Sequence, residues 1–284
     1  MNLETKLQDA RQIQWRVILS NPASSSWHLA VDHALLDCMT DALKNGDEVK
    51  PIFRVYQFDR HSMIVGRRQD ARKFIEQEKY ELTTRMSGGG HMFFRPYDIH
   101  VTSIVPKALT PDDLIQSYHF FNTPIVKALQ DLGYPASLGR TSIKLDLNGN
   151  KAFMGNAQKR NNYAIMQHGT LLVQDYDDSI FEMMHASETE RKVWKEQVAT
   201  LSMFDKQIDE KSIKEVLIGS VAGGNPSFEG LSRSESAIAD DLRNRFYQNP
   251  EFIADGRSER GICLLQGLTT KNYGDHLREH SDDG

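Results

Sequence analysis

The stretch TTRMSGGGHMFF, Thr83 to Phe94, sets an arginine two residues before a serine and three consecutive glycines, between two apolar, strand-like segments. Glycine inside a sheet is costly, because it loses more backbone entropy on folding than any other residue and packs no side chain. Three together imply a backbone that must come close to something else. Arg67, Arg68 and Arg85 lie near in sequence, which makes an anionic ligand one reading and a glycine-rich hairpin or bulge the other.

Working outward, the pattern alternates between strand and helix. WRVILS (Trp15 to Ser20) is a β-branched strand. Ser24 to Ser26 cap a helix with Trp27, Val31, Ala34/Leu35 and Cys38 at helical spacing, which stops near Gly46. IFRVYQF and SMIVGR read as a strand pair joined around Asp59–His61, and DIHVTSIVP as a strand ending at Pro106. Thr110-Pro111-Asp112-Asp113 starts a helix whose apolar face is Leu114, Tyr118, Phe121, Ile125 and Leu129, with Gly133 as its stop. SIKLDL and KAFMG form a hairpin around Asn148-Gly149, a pair suited to a tight primed turn. Tyr163 to Val173 is a further strand. Beyond Asp178 come helices near Glu188–Leu201, Ser212–Val221 and Ser234–Phe246, then the apolar strand GICLLQGL and a frayed REHSDDG end. These elements predict an α/β or α+β chain with a mixed sheet and packed helices.

Composition narrows the function classes. With 284 residues, 39% hydrophobic and 26% charged, the chain suits one large domain with an appendage. A net charge of −5 without a Lys/Arg block disfavours nucleic acid as partner. No apolar run approaches the ~20 residues that span a bilayer, and MNLETKLQDARQ lacks an apolar signal core. A soluble, cytoplasmic protein is expected. Two cysteines, Cys38 and Cys263, make neither a disulfide framework nor a metal site, and both sit in apolar patterns as core residues.

Three more segments join the glycine run: VGRRQDARKF (Val65–Phe74), GRTSIKLDLNGNKAFMGNAQKR (Gly139–Arg160) and MQHGTLLV (Met166–Val173). In this order and spacing they resemble the lipoate–protein ligase family, within the wider group of biotin ligases and octanoyltransferases. The likeness covers about Trp15 to Leu201, and SSWHLAVDHALL resembles the family's first helix. It implies an α+β (mixed α/β) fold with a central mixed sheet, a second small sheet and flanking helices, in a biotin/lipoate ligase-like catalytic domain. The expected division is a tail at 1–14, the catalytic domain at 15–205, and a mainly helical extension at 206–284 packed on that domain.

The resemblance also implies a chemistry. Lipoate, or octanoate, and ATP with Mg2+ give an acyl-adenylate. A lysine of a lipoyl-domain acceptor (a dehydrogenase E2 or a glycine-cleavage H-type protein) then takes the acyl group as an amide. Lys151 matches the family's essential lysine, with an electrostatic role. Ser87, Gly88, Gly89 and Gly90 would bring backbone N–H groups to the anion. Arg67 and Arg85 would add charge-assisted hydrogen bonds. Gly155, Asn156 and Ala157 match the loop that wraps the adenylate. Gly169 belongs to the HGTLL strand, and His168 reads as a structural histidine beneath the site. No protein-held metal is expected, and the chain is expected to be a monomer.

The departures are local. Gly139-Arg140-Thr141-Ser142 stands where the family carries Gly-Arg-Asn-Asp, and His91 where it prefers a small residue. Lys151 precedes Gly155 by four residues instead of three, so a bulge or a local reorientation is required for its side chain to point inward. Leu138 to Asn150 holds no cysteine, which disfavours the thiolate route of related octanoyltransferases. The residues after Leu201 do not match the accessory domain of full-length ligases, so a separate accessory subunit is one expectation. ATP-independent octanoyl or lipoyl transfer between carrier proteins, and a non-catalytic lipoyl-adenylate-binding subunit, remain the alternatives.

Overall fold

The computed structural model describes residues 3–67, 69–71, 74, 80–184, 186–204, 207 and 209–255. Arg68, Cys263, the expected GICLLQGL strand and the terminal REHSDDG lie outside these residues. The described residues divide into two compact units, one drawn from Met1–Pro22, Leu36–Phe58 and Arg95–Gly230, the other from Ala23–Leu35, Asp59–Phe94 and Leu231–Gly284.

The first unit is built on a six-stranded mixed sheet. Its strands are β1 (Arg16–Leu19), β2 (Ile52–Tyr56), β6 (Ile99–Pro106), β10 (Asn156–Arg160), β11 (Ala164–Leu171) and β12 (Ser227–Phe228), in the order β10-β11-β6-β2-β1-β12. β1 pairs parallel with both β2 and β12, whereas β2–β6, β6–β11 and β11–β10 are antiparallel. β2 and β6 are buried along their whole length, although β2 carries Arg54 and β6 carries His100, Thr102 and Ser103. A three-stranded antiparallel sheet, β7 (Ala136–Leu138), β8 (Ile143–Asp146) and β9 (Asn150–Met154), belongs to the same unit. So do helices α1 (Leu3–Gln12), α3 (Leu114–Asp131), α4 (Asp178–Met183), α5 (Glu188–Gln197) and α6 (Glu210–Ala222).

α3 begins one turn later than its sequence signals suggest. Asp113, not Thr110, is the cap, its side chain accepting from the Gln116 N–H. Phe121, Ile125 and Leu129 are buried as expected, but Leu114 is 51% exposed because it occupies the first turn. The expected tail at 1–14 contains α1, a polar helix that buries Ala10 and is held by the Trp15 indole N–H donating to the Ala10 carbonyl at 2.9 Å.

The second unit is smaller. Its sheet has the order β4-β3-β5, from β3 (Ser62–Gly66), β4 (Glu81–Arg85) and β5 (Met92–Phe94), with β3–β4 parallel and β3–β5 antiparallel. The strands β2 and β3, expected to pair with each other, therefore enter different sheets. The unit also takes α7 (Arg233–Leu242), a π-turn at Arg243–Tyr247 and α8 (Pro250–Asp255). Helix α2 (Ser25–Asn45) contributes to both units. Its N-terminus is satisfied by Glu81, whose carboxylate accepts from Ser25 N, Ser25 Oγ and Ser26 N at 2.7, 2.8 and 3.1 Å. Tyr247 fastens the π-turn to this unit: its carbonyl accepts from Thr83 Oγ1 at 2.8 Å, and its hydroxyl lies 3.1 Å from His33 Nδ1. Among the described residues, no helix is long and apolar enough to cross a membrane.

Candidate active site

The candidate residues fall into two groups, one in each unit. In the second unit, β4 ends at Arg85 and β5 starts at Met92, and both strands lie against β3 on opposite sides. The glycine run is thus neither a hairpin nor a bulge. It is a crossover that arches over the end of β3. Gly66, the last residue of β3, is the seat of that arch: a Cβ built on it would meet the Gly89 carbonyl oxygen at 2.1 Å. Gly89 has φ +101°, and a Cβ there would lie 2.7 Å from Arg85 Nη2. Two glycines are therefore required, one by close approach and one by backbone conformation as well.

Arg85 is 8% exposed and directed at its own loop. Its Nε and Nη2 donate to the Gly88 carbonyl at 3.1 and 2.8 Å, Nη2 donates to the Gly90 carbonyl at 2.7 Å, and Nη1 reaches the Ile64 carbonyl at 3.4 Å. Arg67 follows β3 and its backbone N–H donates to the Ser87 carbonyl at 3.1 Å, so Arg67 and Ser87 are brought together beside the arch. Ser87 is buried, while Gly88 to Gly90 are exposed. The His91 ring lies against Phe74, with ring centroids 4.9 Å apart.

In the first unit, the register of β10 and β11 sets Asn156 opposite Gly169 and Ala157 opposite His168. Four predicted site residues thus meet in two adjacent cross-strand pairs. Asn156 and Ala157 lie in a regular strand instead of the expected loop, and Gly155 is the link from β9. The Asn156 side chain folds over Gly169, where a Cβ would come within 2.1 Å of Asn156 Oδ1 and 2.4 Å of Met154 Cε. Asn156 Nδ2 donates to the Met154 carbonyl at 3.3 Å, and Oδ1 is a buried acceptor with no donor among the described residues. A polar chain anchors these strands to α3: Gln158 Nε2 donates to Gln167 Oε1 at 2.8 Å, and Gln167 Nε2 to Asn122 Oδ1 at 2.8 Å.

Lys151 sits on β9, and this strand carries a bulge. Ile143 pairs with Met154 but Lys144 pairs with Ala152, which leaves Phe153 as an extra residue on β9. Lys151 pairs with Leu145. Since paired residues share a face, Lys151 and Met154 both lie on the face of fully buried Ile143 and Leu145. Lys151 Nζ donates to the Lys195 carbonyl at 3.4 Å, in the last turn of α5, where the helix dipole favours a cation. The loop before β9 has three residues, Leu147 to Gly149, because Asp146 pairs with Asn150, and it carries Asn148 at φ 53° and Gly149 at φ 118° instead of a two-residue primed turn. Gly139 to Ser142 makes the preceding turn, with Gly139 N donating to the Ser142 carbonyl at 2.8 Å.

Two features were not singled out in the sequence. Gly66 stands in the GR turn, but its need for a bare Cα arises from a contact made 23 residues later. A cleft of about 1000 Å³ in the second unit is the other, lined by Trp27, Arg60, Tyr80, Glu81, Arg243 and Ile253 among others. It lies beside the start of β4, whereas the glycine loop follows its end, so it takes up none of the predicted site residues. Burial pushes the Tyr80 hydroxyl there up to about 12. Among the described residues, no three His, Cys, Asp or Glu side chains converge as metal ligands, and Cys38 is half-buried on α2.

Residues 25–222 match the family model described as the lipoyl protein ligase A/B catalytic domain. An octanoyltransferase LipM from an Exiguobacterium species is 23% identical over 206 residues, 63% of this chain and 72% of that protein. Lipoate–protein ligase 1 of Staphylococcus aureus is 31% identical over 147 residues, 49% of this chain and 42% of that protein. The bipartite lipoate protein ligase of Thermoplasma acidophilum superposes with a TM-score of 0.72 at 20% identity, covering 87% of this chain and 98% of that one. A lipoate-protein ligase A bound with ATP gives a TM-score of 0.68, also at 20% identity, covering 85% and 99%.

Proposed function

The chain belongs to the lipoyl protein ligase A/B catalytic-domain family, an enzyme family of ligases and acyltransferases, and on that premise we propose that it is an ATP-dependent lipoate–protein ligase. In this reading the lipoate carboxylate attacks the α-phosphorus of ATP and pyrophosphate leaves. The ε-amine of a lysine on a lipoyl-domain acceptor then attacks the acyl carbonyl of the adenylate. AMP leaves, an amide forms, and the amine proton passes to solvent.

The observation that carries the proposal is the β-bulge at Phe153, which turns Lys151 onto the covered face of its sheet. An ordinary surface lysine after a turn has no need of it. Lys151 acts as a compact positive charge for the negative charge that develops on phosphate and acyl oxygens. Backbone N–H groups of Gly88 to Gly90 serve the phosphate, and glycine at these positions keeps side chains out of the way. Magnesium is expected to arrive with the nucleotide's phosphates instead of in a protein cage. The absence of cysteine from Leu138 to Asn150 supports direct amide formation over an acyl-enzyme.

A second reading is ATP-independent octanoyl transfer between carrier proteins, and the likeness to LipM over 72% of that protein favours it. Omitting ATP separates the two. Lys151→Ala should abolish modification of a lipoyl domain, measured by mass spectrometry, while the melting temperature stays put, because the side chain is half-exposed and fills no core space. A variant that modifies the acceptor at the wild-type rate would remove Lys151 from its role.

A further inference from the structure

We propose that Arg85 is a positioning residue that aims the backbone N–H groups of its own glycine loop, and that it does not itself bind the substrate anion. The inference rests on the ligase reading and refines it, since the sequence pattern alone places this arginine on the ligand. The Gly88 and Gly90 carbonyls both point at the guanidinium, held by the three short hydrogen bonds from Nε and Nη2. The loop's peptides are trans. In a trans peptide the C=O of one residue and the N–H of the next point in opposite directions. Fixing the two carbonyls therefore directs the N–H groups of Gly89 and His91 to the side away from Arg85.

The guanidinium is already committed to this task. Nε and Nη2 are engaged by the loop, Nη1 reaches the Ile64 carbonyl, and the residue is almost wholly buried. Swinging it out to a ligand would break all of these hydrogen bonds. Gly89 completes the device, because any side chain there would strike Arg85 Nη2 at 2.7 Å. Lysine cannot reproduce the planar fork that grips Gly88 and Gly90 at once.

The test compares full-length wild type, Arg85→Lys, Gly89→Ala and the double variant. Two quantities are measured: steady-state modification of a lipoyl domain with lipoate and ATP, and order parameters of the Gly88–His91 amides in ligand-free protein. A positioning role predicts that each single variant lowers kcat on the order of 10²-fold, with the lipoate KM changed by less than about threefold. The double variant should be no worse than the poorer single. Loop order parameters should fall from about 0.85 toward 0.6 in both. An Arg85→Lys variant that raises the lipoate KM alone, multiplies with Gly89→Ala, or leaves the loop amides unchanged would overturn the proposal. Should wild type fail to modify the acceptor, the ligase reading falls, while the loop measurement still decides the role of Arg85.

Discussion

A methyl group on Gly66 would strike backbone, with 2.1 Å to the Gly89 oxygen and 2.9 Å to its carbon, so no side-chain rotation relieves it. Gly66→Ala should therefore displace the loop, lowering kcat/KM on the order of 10²-fold at a stability cost of about 1–3 kcal/mol. Steady-state kinetics and urea denaturation read the two quantities; unchanged kinetics would free the loop from its seat on β3. Arg95 and Asp98 show another residue-level device. Both are fully buried and joined at 2.8 and 3.1 Å, Asp98 also accepts from Val173 N, and the Tyr176 ring covers the guanidinium at 4.1 Å. Burial pushes the Asp98 carboxyl up, against the pull of Arg95. Asp98→Ala should cost about 3–5 kcal/mol in urea unfolding, because it strands a buried cation. Nothing in a linear string says that two charges three residues apart are sealed under an aromatic ring.

Elements followed their local signals where the signal was chemical. Asn148-Gly149 marked the hairpin's turn, which is a three-residue loop from Leu147 to Gly149, and Gly149→Ala should cost about 1 kcal/mol, read from thermal melts, since φ 118° suits glycine. The one-residue excess before Gly155 left a bulge or a local reorientation open, and β9 carries a bulge at Phe153. Elements defined by partners rather than by pattern were harder to read. β2 and β3 follow one another in sequence yet join different sheets, because pairing is decided by surfaces that a strand's own residues do not encode. β12 has two residues and no pattern to detect. Its attachment makes a pH prediction: Glu229, just beyond it, is held below its ordinary value near 4.5, first by the Ser227 hydroxyl and then by Lys50. A lowered folded value means the stabilisation is complete above the unfolded value and is lost as pH falls through the folded one. The protection factors of the β12 amides, corrected for the intrinsic pH dependence of exchange, should therefore fall on acidification below the ordinary glutamate range, and protection that does not change with pH would dismiss the contact.

At the scale of the whole molecule, the class and family were legible because four motifs in fixed order constrain each other far more than any one of them does. What the order of motifs leaves open is chemical: whether the acyl group arrives free and is activated with ATP, or arrives on a carrier. Wild type and Lys151→Ala are each incubated with a lipoyl domain, magnesium and either free lipoate or an octanoyl carrier protein, with and without ATP, and the intact mass of the lipoyl domain is recorded. An ATP-dependent gain of a lipoyl group from free lipoate, absent with Lys151→Ala, is the predicted result. Modification from the octanoyl carrier protein alone, independent of ATP, would contradict it.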